Sequence, residues 1–249
     1  MKLSTVLSAF LFVTTSLAVP ATAEAGDGDK VLKMVDSKAQ VFEDASYDAT
    51  MKIKKGDQVV KTLMFEMTMK GLDLQLINFT SPGDVAGMKV LMTDPASIWT
   101  YQPEFKKVRK IAAHMQKQGF LGSHFRAEDM TLAHFADRFD ASIIGQEGKQ
   151  TTLELTPKAG VEATFAKLQL VIDAGVGGVT IIRYLDSAGT VEREQRREDW
   201  KKIAGKPFPM RIVMEDKKAG ESTVIELSNI KVNQGVSDEL FSRRTLLRG

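Results

Sequence analysis

The chain contains no cysteine. That excludes disulfides, thiol nucleophiles and cysteine metal sites, and it excludes the lipid-anchored cysteine of a lipobox. Stability therefore has to come from the core. Charge of one sign is also lacking: 34 Lys and Arg stand against 32 Asp and Glu, a net of +2. The two signs are interleaved, as in Val191-Glu192-Arg193-Glu194-Gln195-Arg196-Arg197-Glu198-Asp199. Nucleic-acid binding favours a segregated basic face, and none is evident. The run reads instead as a solvated strand or sheet edge. Signatures of catalysis are missing as well. There is no Gly-x-Ser-x-Gly elbow, no phosphate-binding glycine loop and no His-Glu-x-x-His. We assign no catalytic residue and no cofactor, and read the chain as a non-enzyme. The three histidines, His114, His124 and His134, cluster in sequence with Glu128 and Asp129. Their spacing is neither a helical nor a hairpin ligand spacing, so we assign no metal.

The N-terminus has the form of a targeting segment. Lys2 supplies a positive start, Val6 to Val19 an apolar run, Pro20 a break, and Ala21-Thr22-Ala23 the small residues that a signal peptidase requires. Ala23-Glu24-Ala25 is an equally legal site. The run is shorter than the roughly 18 to 20 residues of a membrane-spanning helix, and no later segment is apolar enough to span. The reading is a signal peptide over 1–23, with cleavage alternatively two residues later. A single exported domain follows over 24–249, located in the periplasm without stable membrane insertion.

The chain is rich in soft apolar mass, with 12 Met and 13 Phe against 3 Tyr and 2 Trp. Methionine fills irregular space and tolerates variable partners; this suits a pocket for flexible acyl chains and equally an ordinary core. Lys30 to Val41 carries Val31, Leu32, Val35 and Ala39 near helical spacing, which predicts an amphipathic helix. Period two then takes over. Leu63, Phe65, Met67 and Met69 share one strand face, with Met64, Glu66, Thr68 and Lys70 on the other. After a Gly71 turn, Leu72, Leu74 and Leu76 alternate in the same style, so the two runs read as a hairpin. Short strand patterns separated by turn residues continue to Val232. They predict a large antiparallel sheet, curved or closed. His114 to Phe135 is the longest stretch without alternation. It is either a plain connector or a flap over one sheet face that buries Met115, Phe120, Leu121, Phe125 and Met130.

The segment from Ile98 to Met130 carries a family resemblance. It runs Trp99-Thr100-Tyr101-Gln102-Pro103, then Val108-Arg109-Lys110-Ile111, then Gly122-Ser123-His124-Phe125-Arg126-Ala127-Glu128-Asp129-Met130. This resembles the LolA-like family of periplasmic lipoprotein-sorting proteins, in a branch with a Tyr-x-Pro hairpin and a Gly-Ser-Asp-Phe-like turn. Further pieces match in order: Leu76 to Leu91, Gly205 to Met214, and Ile225 to Phe241. The resemblance implies an incomplete, strongly curved antiparallel β-barrel of about ten or eleven strands, with an N-terminal helix and a short helical lid. It implies a non-enzymatic carrier that holds acyl chains of a lipoprotein or free lipid in an apolar cavity. The partners implied are an inner-membrane exporter and an outer-membrane acceptor. A sensor or binding module for lipidated ligands is the alternative. The cavity is expected to be lined by Leu63, Phe65, Met67, Met69, Leu72, Leu74, Leu76, Trp99 and Tyr101. The lid is expected to comprise Met115, Phe120, Leu121, Gly122, Phe125 and Met130. His124 stands where members of the branch carry Asp.

The targeting segment gives a direct test. N-terminal sequencing of the protein from a periplasmic fraction should begin at Glu24 or Gly26; an intact Met1 species in the membrane pellet contradicts the reading.

Overall fold

In a computed structural model the described residues are 25–94, 97–112, 118–130 and 134–247. Helix α1 (Ala25–Ala39) is followed by β1 (Asp44–Lys55), β2 (Gln58–Lys70), β3 (Leu74–Ser81), β4 (Lys89–Asp94), β5 (Ser97–Gln102) and β6 (Lys107–Lys110). A crossing segment holds a 3-10 turn (Phe120–Gly122) and two one-turn helices, α2 (Ala127–Met130) and α3 (Phe135–Arg138). Then come β7 (Phe139–Glu147), β8 (Gln150–Pro157), β9 (Lys167–Asp173), β10 (Gly178–Leu185), β11 (Val191–Ile203), β12 (Lys206–Asp216) and β13 (Glu221–Val232). A second 3-10 turn (Asp238–Phe241) and α4 (Arg243–Leu247) end the described chain.

The thirteen strands form one antiparallel sheet in the order β6-β5-β4-β3-β2-β1-β13-β12-β11-β10-β9-β8-β7. It is two up-and-down meanders, joined where the first strand pairs with the last. The architecture is the expected open, curved barrel, with thirteen strands where the resemblance implies ten or eleven. The strand that periodicity misses is β1. Its inward residues, Ala45, Tyr47, Ala49, Met51 and Ile53, do alternate, but two are alanines and the intervening positions are Ser, Asp, Thr and Lys. It is nonetheless central, paired on both sides over most of its length.

Alternation sorts each strand into an inner and an outer face. On the inner face, Met51, Leu63, Phe65, Met67, Phe79 and Val90 form a buried cluster beneath the crossing segment. A second inner cluster lies under α1, where Leu32 is fully buried among Phe139, Leu153, Leu168, Ile182 and Tyr184. α1 is tied down by two of its acids. Asp29 accepts from the Ala141 amide at 2.8 Å, and Asp36 accepts from the first amides of α3, Phe135 and Ala136, at 3.0 and 2.6 Å.

The outer face is covered in two ways. Over β10 to β12 a lattice of charges spreads across the surface. Arg196 donates to Glu194, Glu198 and Glu215, and Arg183 donates to Glu194. Over β3 to β6 the C-terminal segment lies down, packing Phe241 and Leu246 onto Leu76 and Leu91. Its path is fixed by Asp44, whose carboxylate accepts from the amides of Gln234, Gly235 and Val236. The free edge at β6 is only four residues long and carries exposed Lys107, Arg109 and Lys110.

Gly28 marks a close approach of α1 to the sheet. A Cβ placed there would lie 2.2 Å from the Ala141 carbonyl oxygen, whereas one at Gly26 meets nothing within 4 Å. Gly28→Ala should therefore lower stability by about 1–3 kcal/mol, as overpacking does. Gly26→Ala should be neutral or stabilising by up to about 1 kcal/mol, because alanine is the better helix former. Urea unfolding of the two variants checks the opposite signs.

Candidate functional site: a lidded apolar face

The lid is a consequence of strand order. β6 and β7 are consecutive in sequence but lie at opposite edges of the sheet. The chain between them must cross from edge to edge, and it crosses the inner face. Phe120, Leu121 and Phe125 pack down onto the first inner cluster, and Phe125 also touches the second. The Phe120 and Phe79 ring centroids are 5.8 Å apart. The crossing segment folds on itself first: the Phe120 amide donates to the Phe125 carbonyl at 2.8 Å, and the Ser123 amide to Phe120 at 2.9 Å. The loop needs unusual backbone, with Leu121 at φ 53° and Gly122 at φ 85°. A non-glycine residue in the left-handed region costs roughly 1–3 kcal/mol, so the packing of Leu121 has to offset it.

The lid is pinned to the sheet by charge. Arg193 projects inward from β11 and is 3% exposed. Its guanidinium forks onto Asp129 of α2, Nη1 to Oδ2 at 2.8 Å and Nη2 to Oδ1 at 3.1 Å. Nη2 also reaches Glu128 at 3.2 Å, and Nη1 reaches the His124 carbonyl at 3.3 Å. Beneath it lies the Tyr184 ring, whose centroid is 4.1 Å from the guanidinium carbon. Burial works against the Arg193 charge, but Asp129, Tyr184 and Glu128 more than offset it and raise its pKa above the ordinary arginine value. Asp129 also accepts from the Arg126 amide at 2.8 Å, which starts α2. His124 adds a further tie, its amide donating to Thr223 Oγ1 at 3.0 Å and its ring lying 3.3 Å from Glu221. His134 faces Asp73 at an exposed position 3.3 Å away. His114 lies outside the described residues.

The expected cavity residues divide between the two faces. Leu63, Phe65 and Met67 are buried on the inner face under the lid. Met69 is on the same face further along β2. With Leu72 it lines a small cleft of about 70 Å³ that also touches Val41, Phe42 and Phe208. Leu74, Leu76, Trp99 and Tyr101 do not join them. β2 pairs with β3 as Met67↔Ile77 and Thr68↔Leu76, so the odd-numbered residues of β3 face inward and Leu74 and Leu76 face outward. The same register carries Leu91 and Trp99 outward. All four pack against the C-terminal segment. Trp99 there lies 4.8 Å from the Arg243 guanidinium carbon and 5.8 Å from the Lys110 ammonium. Of the expected lid residues, Phe120, Leu121, Gly122 and Phe125 lie in the crossing segment; Met115 and the Met130 side chain lie outside the described residues.

The run around Arg193 is also corrected. β11 is an interior strand between β10 and β12, not an edge. Its inner positions, Arg193 and Gln195, are buried. The sequence separates two faces of this strand without saying which is buried. Arg193, Gln195 and Arg197 alternate with acids at Glu192, Glu194 and Glu198, so one face is basic and the other mixed.

That 70 Å³ cleft is far below the roughly 300–1,000 Å³ of a ligand pocket, so it does not by itself hold an acyl chain.

Comparison with known proteins places this arrangement. A family model described as "-like: Uncharacterized protein" matches residues 71–248. The chain belongs to that family. No curated protein matches its sequence. Among solved structures, a domain from Vibrio parahaemolyticus, named for outer membrane lipoprotein sorting, superposes with a TM-score of 0.81 at 19% identity, covering 90% of this chain and 100% of that one. A DUF1329 family protein from Desulfovibrio piger gives 0.82 at 25% identity, with the same coverages. A LolA superfamily protein from Nitrosomonas europaea gives 0.71 at 18% identity, covering 88% and 99%. The fold is thus LolA-like, as the Tyr-x-Pro hairpin and the Gly-Ser-His-Phe turn lead one to expect. Among the described residues no helix is long and apolar enough to cross a membrane.

The latch is testable in isolation from any cargo. Removing one member of a buried ion pair typically costs about 3–5 kcal/mol, because the partner charge is stranded. Asp129→Asn should destabilise the protein by roughly that amount and speed amide exchange in 119–130 ahead of the sheet. The double variant Arg193→Met, Asp129→Leu should recover most of the loss, since apolar replacement of a buried pair is often neutral. Hydrogen exchange read by mass spectrometry distinguishes these outcomes.

Proposed function

We propose that this protein is a periplasmic carrier. It takes up acyl chains of a lipoprotein or lipid between the inner sheet face and the lid, and moves them from the inner towards the outer membrane. The observation that carries the reading is an extended apolar sheet face covered by a separate segment that is fastened by a charged latch. An ordinary core is closed by elements that share its cooperativity. Here the cover is a loop with one-turn helices, anchored by the Arg193–Asp129 pair, by hydrogen bonds such as His124 to Thr223, and by apolar contacts. Contact with acyl carbons can replace the apolar part. Each methylene buried is worth about 0.8 kcal/mol, so a long chain can outweigh several kcal/mol of lid self-packing. Only cargo that binds the open state better can drive the lift. The names of the structural neighbours support the same class of cargo. A carrier of this kind works with an inner-membrane exporter that loads it and an outer-membrane acceptor that unloads it, and it requires no catalytic group.

The native absence of cysteine makes the test clean. Cysteines at His124 and Thr223, whose backbone and side chain already touch, should form a disulfide that holds the lid down. The oxidised protein should fail to take up a fluorescent fatty acid, and the reduced protein should take it up like the wild type. Mass spectrometry of lipids copurifying with wild-type protein should show acyl species that the oxidised variant lacks. Equal loading of the oxidised and reduced forms contradicts a lidded carrier.

A further inference from the structure

Polar side chains on the mostly apolar inner face concentrate along β11, where Arg193, Gln195 and Arg197 point inward in alternation. Their register partners on β12, Met214 opposite Gln195 and Ile212 opposite Arg197, belong to or pack on the inner clusters. Arg193 is neutralised by the lid. Arg197 is not. Among the described residues its guanidinium has no ion pair and no hydrogen-bond partner; its backbone pairs with β12 and its carbonyl accepts from the Trp200 indole. This sets it apart from the outward arginines of the same region, since Arg183, Arg196 and Arg211 each meet a carboxylate. An unpaired cation on an inner face is unfavourable unless something completes it.

The Tyr184 hydroxyl is a second group without a partner. Tyr184 is 2% exposed, and its oxygen makes no well-formed hydrogen bond although Asp129 is near. Burial and the Asp129 carboxylate push its pKa well above the ordinary tyrosine value, so it remains a neutral donor. On β10 it stands opposite Arg193, four residues along β11 from Arg197 on the same inner face, within electrostatic reach of that guanidinium. Crowding by protein depresses the Arg197 pKa below arginine's ordinary value, yet the side chain is still partly reached by solvent. A charge held in low-dielectric surroundings with a way in from water is what an anion site requires.

We propose that Arg197, assisted by the Tyr184 hydroxyl, recognises the acidic head of an amphiphile, carboxylate or phosphate, whose apolar chain lies along the inner face; this rests on the carrier reading above. The guanidinium offers a planar fork that fits either oxyanion. Ile212 lies opposite it on β12, and Ile225 is the next neighbour across the sheet, so a head bound at Arg197 has apolar sheet beside it for its chain. The chain rather than a free anion is the source of affinity, because Arg197 faces Ile212 and Ile225 and not a second cation.

Displacement of the neutral dye N-phenyl-1-naphthylamine tests this with four competitors: hexadecanoate, hexadecyl phosphate, hexadecanol and acetate. Wild-type protein should prefer the two charged amphiphiles to hexadecanol by about tenfold or more, the scale of one charge-assisted hydrogen bond. Acetate should not compete at millimolar concentration. Arg197→Gln should erase the preference while leaving hexadecanol binding unchanged, and Arg197→Lys should keep part of it. Circular dichroism and thermal melting confirm that both variants fold. If hexadecanol matches hexadecanoate on the wild type, or Arg197→Gln retains the preference, the anion site is wrong and the carrier reading stands. If acetate alone competes, the site is one for small free anions and the proposal fails. If no amphiphile displaces the dye, the carrier reading fails and this proposal with it.

Discussion

The placement of β6 and β7 at opposite edges of one open sheet is the constraint on which the rest of the molecule depends. Two meanders meet at the β1–β13 pair, and the only link between their far ends has to pass over the inner face. A closed barrel would have no such link, and a flat meander would leave its apolar face to water. Exposing so large an apolar surface is rare in a soluble monomer. Strand order therefore produces an apolar inner face and its cover at once. The latch between Arg193 and Asp129 then sets where the cover sits, through geometry that a bidentate pair enforces well. As a net contribution to stability the pair is secondary, because the desolvation of both charges consumes most of their attraction.

Much of this organisation could be read from the sequence, and the failures have physical causes. Strand alternation in Leu63, Phe65 and Met67 identified an inner face because the opposite face of β2 is polar. The same logic misassigned Leu74 and Leu76. They alternate equally well, but on the outer face, which the C-terminal segment covers. Apolar alternation reports that a face is covered and does not say by what. β1 escaped notice since alanine at positions 45 and 49 gives little hydrophobic contrast, although the tight strand neighbourhood makes small side chains fit there. Burial of Arg193 could not be inferred from a run of mixed charges. Its partners lie 64 and 65 residues away in sequence. That this stretch lies across a sheet face was foreseeable chiefly through the resemblance of Gly122–Met130 to a known family, with the length of the unpatterned stretch as independent support.

The position of His124 shows how a departure from a family pattern can be accommodated. Where the branch carries an acid, the imidazole here contacts Thr223 and Glu221 at the start of β13. The acid that an Asp would have supplied is present on the sheet instead. The turn is tied to the sheet here through the His124 ring and amide.

The short, basic β6 has a consequence for how such a protein survives at high concentration. An unclosed sheet presents two rows of unsatisfied backbone groups, and each can template a neighbour's strand. At β6 the row is only four residues long. A second β6 laid against it would bring its lysines and arginine onto an equal set, and that like-charge contact is repulsive. Self-association through this edge is thereby discouraged without closing the barrel.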